Sequence, residues 1–163
     1  AAVLMIIYIS FRFEFTFGVA TVAALLHDVL ITVGIFSIFQ IEIDSTFVAA
    51  LLTIVGYSIN NTIVIFDRIR ENLNFDKKQV LSATVDTSIN QTLVRSINIS
   101  LAIIFPLVAL LVLGGSTTKV FALALLLGVI IGTYSSTCIA TSLWYDLKNK
   151  LDAGKQFKHA NAR

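Results

Sequence analysis

Three polar residues interrupt long apolar stretches of this 163-residue chain, namely Asp28, Asn61 and Arg95. A charged side chain at the centre of a bilayer costs about 3 kcal/mol or more, so such residues usually line an ion pathway or form pairs. A carboxylate can bind and release a proton or a cation, asparagine can only orient such a group, and arginine keeps its charge. These three residues are therefore the candidate ion-coupling residues.

Structural roles are alternatives for all three residues. Asp28 could make a helix-packing hydrogen bond, and Asn61 could join two helices. Arg95 lies about one turn inside its apolar stretch and could extend to lipid phosphate instead. Gln91 and Asn98 share its helix face, at spacings of four and three residues. The polar residues that would support an ion site on these helices are His27, Ser58, Asn60, Gln91 and Asn98.

A mixed-charge cluster ends the third apolar stretch and consists of Asp67, Arg68, Arg70 and Glu71. Spacings of three and four residues put Asp67 beside Arg70 and Glu71 on a helix. Such clusters fix the depth of a helix at the membrane surface. We interpret Arg68 as extending to lipid headgroups, and we expect Arg70 or Asp67 to form a structural pair.

Small residues recur every fourth position in the last apolar stretch, at Gly128, Gly132 and Ser136. This spacing puts them on one helix face, and small residues allow two helices to approach closely. We therefore expect this face to be a helix-packing surface. A hydrated path along the hydroxyls of the Thr133–Thr137 run is the alternative use.

The composition is that of a membrane protein, with 56% hydrophobic and 13% charged residues and a mean hydropathy of +0.86. Soluble domains carry about 25% charged residues. The single cysteine, Cys138, excludes an internal disulfide or a multi-cysteine metal site within this sequence. Phosphate-loop, HExxH and G-x-S-x-G patterns are absent from the sequence. The sequence therefore points away from an enzyme, a resident cofactor or metal, and a nucleic-acid partner.

The fold class that follows is an all-α polytopic membrane protein. About 20 apolar residues are needed to cross a bilayer, and the apolar runs are too long for barrel strands. The first run is too short for a span, so we expect it to be the end of a truncated helix of a longer protein. We predict spans at about residues 1–11, 17–39, 46–66, 93–113 and 120–145, an amphipathic cytoplasmic helix at about 76–92, and a basic tail at 146–163.

Lysine and arginine predict the orientation of these spans. The basic residues are concentrated in alternate connections, whereas the loop at 40–45 has none and the next outer loop has only Lys119. Positively charged loops stay on the cytoplasmic side. We therefore place residues 11–16, 67–92 and 146–163 in the cytoplasm.

The run GYSINNTIVIFDRIREN, from Gly56 to Asn72, resembles the signature of the SecF family of bacterial protein export. Three further runs fit SecF spans in the same order: FRFEFTFGVATVAALLHDV, NQTLVRSINISLA and FALALLLGVIIGTYSSTCIAT. The resemblance covers nearly the whole chain. It implies a transmembrane helix bundle of the SecDF type, related to the RND transporters, in separate SecF or in the SecF half of a fused SecDF.

The resemblance also implies a function and partners. A SecF subunit would sit in the bacterial cytoplasmic membrane and use an ion gradient, of H⁺ or Na⁺, to promote late preprotein translocation. Its partners would be SecD, SecYEG, YidC and the preprotein, within the lipid bilayer. Arg95 matches the family's functionally important arginine, and Asp28 matches the aspartate of its HD pair. Asn61 stands where many SecF sequences have aspartate, which favours the alternative of a scaffold without ion chemistry of its own.

Overall fold

The computed structural model of the protein describes residues 15–75 and 80–160, and it describes side chains in these ranges except at residues 117 and 152–160. Within these ranges the chain is helical, without a strand, and the short segment Ser135–Ala140 is a π-helix that continues α4 directly into α5. The α-helices are α1 (Phe15–Ile38), α2 (Ser45–Phe75), α3 (Leu81–Leu113), α4 (Ser116–Tyr134) and α5 (Thr141–Ala160).

Four helical stretches in the described ranges are long and apolar enough to cross a membrane. They are α1, α2, α3 and the continuous stretch Thr118–Leu151, which runs through the π-helix. The predicted all-α membrane protein with four full spans is therefore confirmed. The truncated helix predicted at residues 1–11 lies outside the described residues.

Three helix boundaries differ from those expected. The amphipathic helix expected at 76–92 and the following span form one helix of 33 residues, α3. Neither glycine nor proline occurs between Leu81 and Arg95 to end it. At 1.5 Å per residue α3 is about 50 Å long, so it extends well beyond a hydrocarbon core of about 30 Å. Helix α2 likewise continues to Phe75, and α5 continues through the expected tail to Ala160.

A stripe of hydroxyl residues forms the buried side of α3. Most of these hydroxyls donate to the carbonyl oxygen one turn earlier, for example Ser88 to Thr84 at 2.6 Å and Ser100 to Ser96 at 2.8 Å. The side chains are therefore satisfied within their own helix and leave a narrow surface for neighbouring helices. The stripe consists of Thr84, Ser88, Thr92, Ser96 and Ser100, all at most 7% exposed.

Two apolar clusters occupy opposite ends of the bundle. One contains Phe17, Phe66 and Trp144, whose rings stack or meet edge to face. The other is centred on Phe36, Phe47 and Ile54. Helices α1 to α4 and the π-helix contribute polar side chains between the two clusters, and we call these the polar layer: Asp28, Tyr57, Ser58, Asn61, Ser100, Thr133 and Ser136. A polar layer between apolar clusters is the part of this fold that could handle an ion.

The connection between α1 and α2 has two local stabilising features. Gln40 has φ 51°, and the amides of Gln40 and Ile41 donate to the carbonyls of Ser37 and Phe36, as in a Schellman motif. Asp44 Oδ1 then accepts hydrogen bonds from the Thr46 hydroxyl at 2.6 Å and from two backbone amides that begin α2. The Thr46 hydroxyl, followed by these amides, lowers the pKa of the Asp44 carboxyl.

Close approach of α4 to α2 depends on glycine. A methyl carbon at Gly128 would lie 2.2 Å from two carbon atoms of Ile54, far inside contact distance. One turn later a methyl carbon at Gly132 would lie 3.4 Å from Ser58 Cβ. The face that carries Gly128, Gly132 and Ser136 therefore packs against α2, which is the use that the sequence predicted for it.

Candidate functional site

Asp28 is the central residue of the polar layer. Its side chain is fully buried, and Ser58 Oγ of α2 donates a hydrogen bond of 2.6 Å to Asp28 Oδ2. The other carboxyl oxygen lies 3.1 Å from Nδ1 of His27, whose side chain is 31% exposed. Helices α1, α2 and α4 meet here, since a methyl carbon added at Gly132 of α4 would lie 3.4 Å from Ser58 Cβ and 3.7 Å from Asp28 Oδ2.

The geometry at Asp28 allows proton exchange with His27. A neutral carboxyl group can donate to an unprotonated Nδ1, and a carboxylate can accept from a protonated Nδ1. The contact can therefore be a hydrogen bond in either arrangement, and His27 connects the buried carboxyl to the bundle surface. A hydrolytic triad does not result, because the Ser58 hydroxyl donates to Asp28 rather than to the imidazole.

Asn61 belongs to the same layer but contacts a different helix. It is 4% exposed, and its Nδ2 donates to Ser136 Oγ at 3.1 Å. This contact is the interhelical bond that the structural interpretation of Asn61 anticipates. Ser135, the preceding residue of the π-helix, donates at 3.4 Å to the carbonyl of Ala24 in α1. The π-helix is therefore tied to both α1 and α2.

Hydroxyl side chains satisfy backbone carbonyls around the π-helix. The carbonyl of Thr133 accepts hydrogen bonds from Ser136 and Thr137, and that of Thr137 accepts from Thr141. Serine and threonine compete in this way with the regular backbone bonds of an α-helix. The run of hydroxyl residues at 133–137 therefore accommodates the wider turn of the π-helix. Single π-helical turns within α-helices are frequent at functional sites.

The hydroxyls of Tyr57, Ser100 and Thr133 form a triangle that the sequence did not reveal. The three oxygen atoms lie 2.7–2.9 Å from one another and join α2, α3 and α4. Ser100 and Thr133 also approach the carbonyls of Ser96 and Val129. Five contacts therefore share three hydroxyl protons, so they cannot all be hydrogen bonds at once. The four-residue spacing of hydroxyls in α3 was the available sequence signal.

Arg95 does not join the polar layer. Its side chain and those of Asn98 and Asn60 are exposed. On a helical projection of α3, Arg95 and Asn98 define a flank that lies about a quarter of the way round the helix from the hydroxyl stripe. The structure therefore brings Asp28 and Ser58 together and puts Asn61 in the same layer, whereas it leaves Arg95 on the surface of this bundle.

Gln91 and Arg68 form a separate network at the end of α2. Arg68 Nε donates to Gln91 Oε1 at 2.6 Å, and Arg68 Nη1 pairs with Glu71 at 2.7 Å. Asn72 also donates to Gln91 at 2.9 Å. The expectation that Arg68 extends to lipid is therefore corrected, since its guanidinium group binds Gln91 and Glu71 instead. Gln91 binds α2 rather than supporting Arg95, and Asp67 and Arg70 are exposed.

Comparison of the chain with known proteins finds one matching family. The family model described as "Protein export membrane protein SecD/SecF, C-terminal" matches residues 1–150. The chain is similar to the protein translocase subunit SecF of Sebaldella termitidis, with 47% identity over 159 residues, which cover 97% of this chain and 52% of that protein. The subunit SecDF of Thermus thermophilus is 46% identical over 155 residues, covering 95% of this chain and 21% of that protein.

Solved structures agree with this match. A crystal structure of SecDF in a "Super-membrane-facing form" superposes with a TM-score of 0.93 and 45% identity, over 96% of this chain and 21% of that one. A crystal structure of SecDF from Thermus, described as a translocon-associated membrane protein, superposes with a TM-score of 0.85 and 47% identity, over 88% and 20%. The chain spans about half the length of the SecF relatives and about a fifth of the SecDF ones.

Proposed function

Because the chain belongs to the SecD/SecF family of protein-export membrane proteins, we propose that it is the transmembrane part of a SecF subunit. In this proposal SecD, as a separate chain or a fused half, is its partner. The complex acts with SecYEG and YidC in the bacterial cytoplasmic membrane and uses a gradient of H⁺ or Na⁺ to promote late preprotein translocation. Residues 67–92 and 146–163 face the cytoplasm, together with residues 11–16.

The exposed position of Arg95 carries the proposal. Its guanidinium group has no hydrogen bond or ion pair within the described parts of the chain. An unpaired arginine facing lipid is costly, and a carboxylate on a second helical half would remove that cost. An arginine between two halves can then compete with an incoming cation for the partner's carboxylate, so ion entry changes the attraction between the halves. This is the physical link between ion passage and movement.

Asp28 has a different part in the proposal. It is buried inside this half, where its carboxyl oxygens contact His27 Nδ1 and Ser58 Oγ. A change in its protonation would alter the Ser58 hydrogen bond and with it the packing of α1 on α2. We infer that Asp28 responds to the ion step within this half, while Arg95 acts at the junction with SecD.

A structural scaffold is the second candidate function, and Asn61 favours it. An asparagine at this position cannot titrate, and its side chain is used in the bond to Ser136. In this alternative the subunit holds SecD against SecYEG and YidC, and ion chemistry belongs to SecD alone. Arg95 would then contribute only to assembly.

Separate Arg95→Ala, Arg95→Lys and Asp28→Asn variants of the full-length protein distinguish the two candidates. Preprotein export and co-purification of SecD are measured together, with Val94→Ala, exposed one residue away, as the control. Loss of export with intact SecD binding supports the transporter, and partial recovery in Arg95→Lys would assign the effect to charge. Loss of export only together with loss of SecD supports the scaffold. Export unchanged in Arg95→Ala would refute the proposed role of this residue.

A further inference from the structure

Two neighbouring cavities form one groove along the outside of the bundle, between α3 and the continuous helix α4–π–α5. One has a volume of about 490 Å³ and the other about 380 Å³, and Thr137 lines both. Both volumes are in the range typical of small-molecule sites. On α3 the lining positions run from Ser82 to Ile104 at helix-face spacing. The groove is therefore a continuous feature of one flank.

The two ends of the groove differ in chemistry. The larger cavity is also largely apolar, through Val85, Ile89 and Cys138, but its lining includes the acidic residues Asp86 and Asp146 and the hydroxyl residues Ser82, Ser142 and Tyr145. The surface of the smaller cavity is almost entirely apolar and is contributed by five aliphatic side chains together with Ser100, Thr133, Tyr134 and Thr137; the aliphatic residues are Leu93, Ile97, Leu101, Ile104 and Ile130. A largely apolar groove that carries charged groups at one end only is complementary to an amphiphile.

The dimensions of the apolar end fit one leaflet of a bilayer. From Leu93 to Ile104 the helix rises about 16 Å at 1.5 Å per residue, which is about half of a 30 Å hydrocarbon core. The polar end begins one turn before Leu93 and reaches Ser82, in the part of α3 that extends beyond the core. A lipid with its headgroup beside Asp86 would therefore have its chain at the natural depth.

The charge of the polar end selects the headgroup. Asp86 and Asp146 are both exposed, and neither has an ion pair or hydrogen bond within residues 15–75 and 80–151. Two carboxylates attract an ammonium group and repel a headgroup that carries only negative charge. The hydroxyls of Ser82, Ser142 and Tyr145 can donate to a phosphate. These groups together match a zwitterionic headgroup.

We propose that this groove binds a phospholipid whose headgroup carries a primary ammonium group, with one acyl chain between α3 and α4. The site is separate from the flank of Arg95, which lies almost opposite the groove on the helical projection of α3. It is therefore independent of the SecD junction and of the proposed ion coupling. Bound lipid would fill the space between α3 and α5 and hold the two helices at a fixed separation.

Native mass spectrometry of the full-length protein tests the proposal. The protein is loaded with phosphatidylethanolamine or phosphatidylglycerol of identical acyl chains, and the retained lipid is counted. We expect preferential retention of phosphatidylethanolamine. Exposed charge pairs contribute little each, so the double variant Asp86→Asn/Asp146→Asn should lose about threefold to tenfold of this affinity. Glu42→Gln, in the exposed α1–α2 connection, is the matched control and should change nothing.

A second variant tests the apolar end independently of charge. Ile97→Trp should fill the chain groove and lower retention of both lipids, whereas Val112→Trp, on an exposed part of α3 outside the groove, should not. Equal retention of the two lipids by the wild-type protein would overturn the headgroup assignment. Unchanged retention in Ile97→Trp, or no retained lipid at all because another helix of the full-length protein covers the groove, would overturn the site.

Discussion

Replacement of Gly128 by alanine tests the packing that creates the polar layer. The added methyl carbon would lie 2.2 Å from Cδ1 and Cγ1 of Ile54 and 2.9 Å from its Cγ2. Ile54 is fully buried and β-branched, so it has little freedom to turn away. Restoring an ordinary contact would require α4 and α2 to separate by about 1 Å, which loosens every contact along their shared face.

The expected magnitude combines two opposing effects. Overpacking of a core costs about 1–3 kcal/mol, and here the overlap is severe enough for the upper part of that range. Replacing glycine by alanine in a helix gains about 1 kcal/mol. We therefore expect Gly128→Ala to lower the free energy of unfolding by about 1–2 kcal/mol. Gly132→Ala should be neutral or stabilising, because its methyl group meets Ser58 at ordinary contact distance.

Thermal unfolding of the full-length protein in detergent, followed by circular dichroism, measures both variants. A double-mutant cycle with Ile54→Ala makes the test specific. The Ile54 variant alone loses about 2–5 kcal/mol through its cavity, and the methyl group of Gly128→Ala would partly fill that cavity. We expect a favourable coupling of about 1 kcal/mol or more. Additive effects, or Gly128→Ala as stable as Gly132→Ala, would refute the packing account.

Four further outcomes follow from local contacts. Gln40→Gly should stabilise the α1–α2 connection by about 1 kcal/mol, measured as a higher unfolding temperature, because glycine adopts positive φ without steric cost. The Asp44 carboxylate, whose pKa is lowered, stabilises the start of α2 above about pH 4, and this stabilisation is lost as pH falls through the lowered value. The protection factors of the amides there, which are corrected for the intrinsic pH dependence of exchange, should therefore fall in acid, whereas in Asp44→Asn they should not change with pH. Tyr57→Phe should cost at most about 1 kcal/mol, since its hydroxyl partners also donate to carbonyls. Ser58→Ala should cost about 1–3 kcal/mol, because it removes a donor from the buried Asp28 carboxyl; equal unfolding free energies for these two variants would contradict both assignments.

Hydropathy was sufficient to predict the four long apolar helices, because the cost of exposing polar groups to lipid constrains 20-residue windows strongly. It also placed Asp28 and Asn61 in two of these helices. The hydrogen bonds of Asp28 with Ser58 and of Asn61 with Ser136 could not be derived, since several serines and threonines lie at similar depths. Which helices become neighbours depends on where two backbones can approach closely. The close contact of Gly128 with Ile54 involves one residue from each of two helices, so it cannot be read from either helix alone.

Long polar side chains were the least predictable part of the site. Arg68 had lipid phosphate, Glu71 and Gln91 within reach, and the free energies of such exposed contacts differ little at a membrane surface. The continuity of α3 was missed because its first half is amphipathic and its second half apolar, which resembles two elements although no residue ends the helix between them. Tyr57 was missed because a tyrosine in an apolar run is ordinarily a packing residue, and its partners come from two other helices.

Release of a preprotein from vesicles that contain the full-length complex tests the central claim most directly. Proton and sodium gradients are imposed separately, with the Arg95→Ala complex compared in the same vesicles after confirming that SecD remains bound. We expect one of the two gradients to accelerate release and Arg95→Ala to remove this acceleration. Release that is independent of both gradients, in a complex whose removal still slows export, would contradict ion coupling and support a structural subunit.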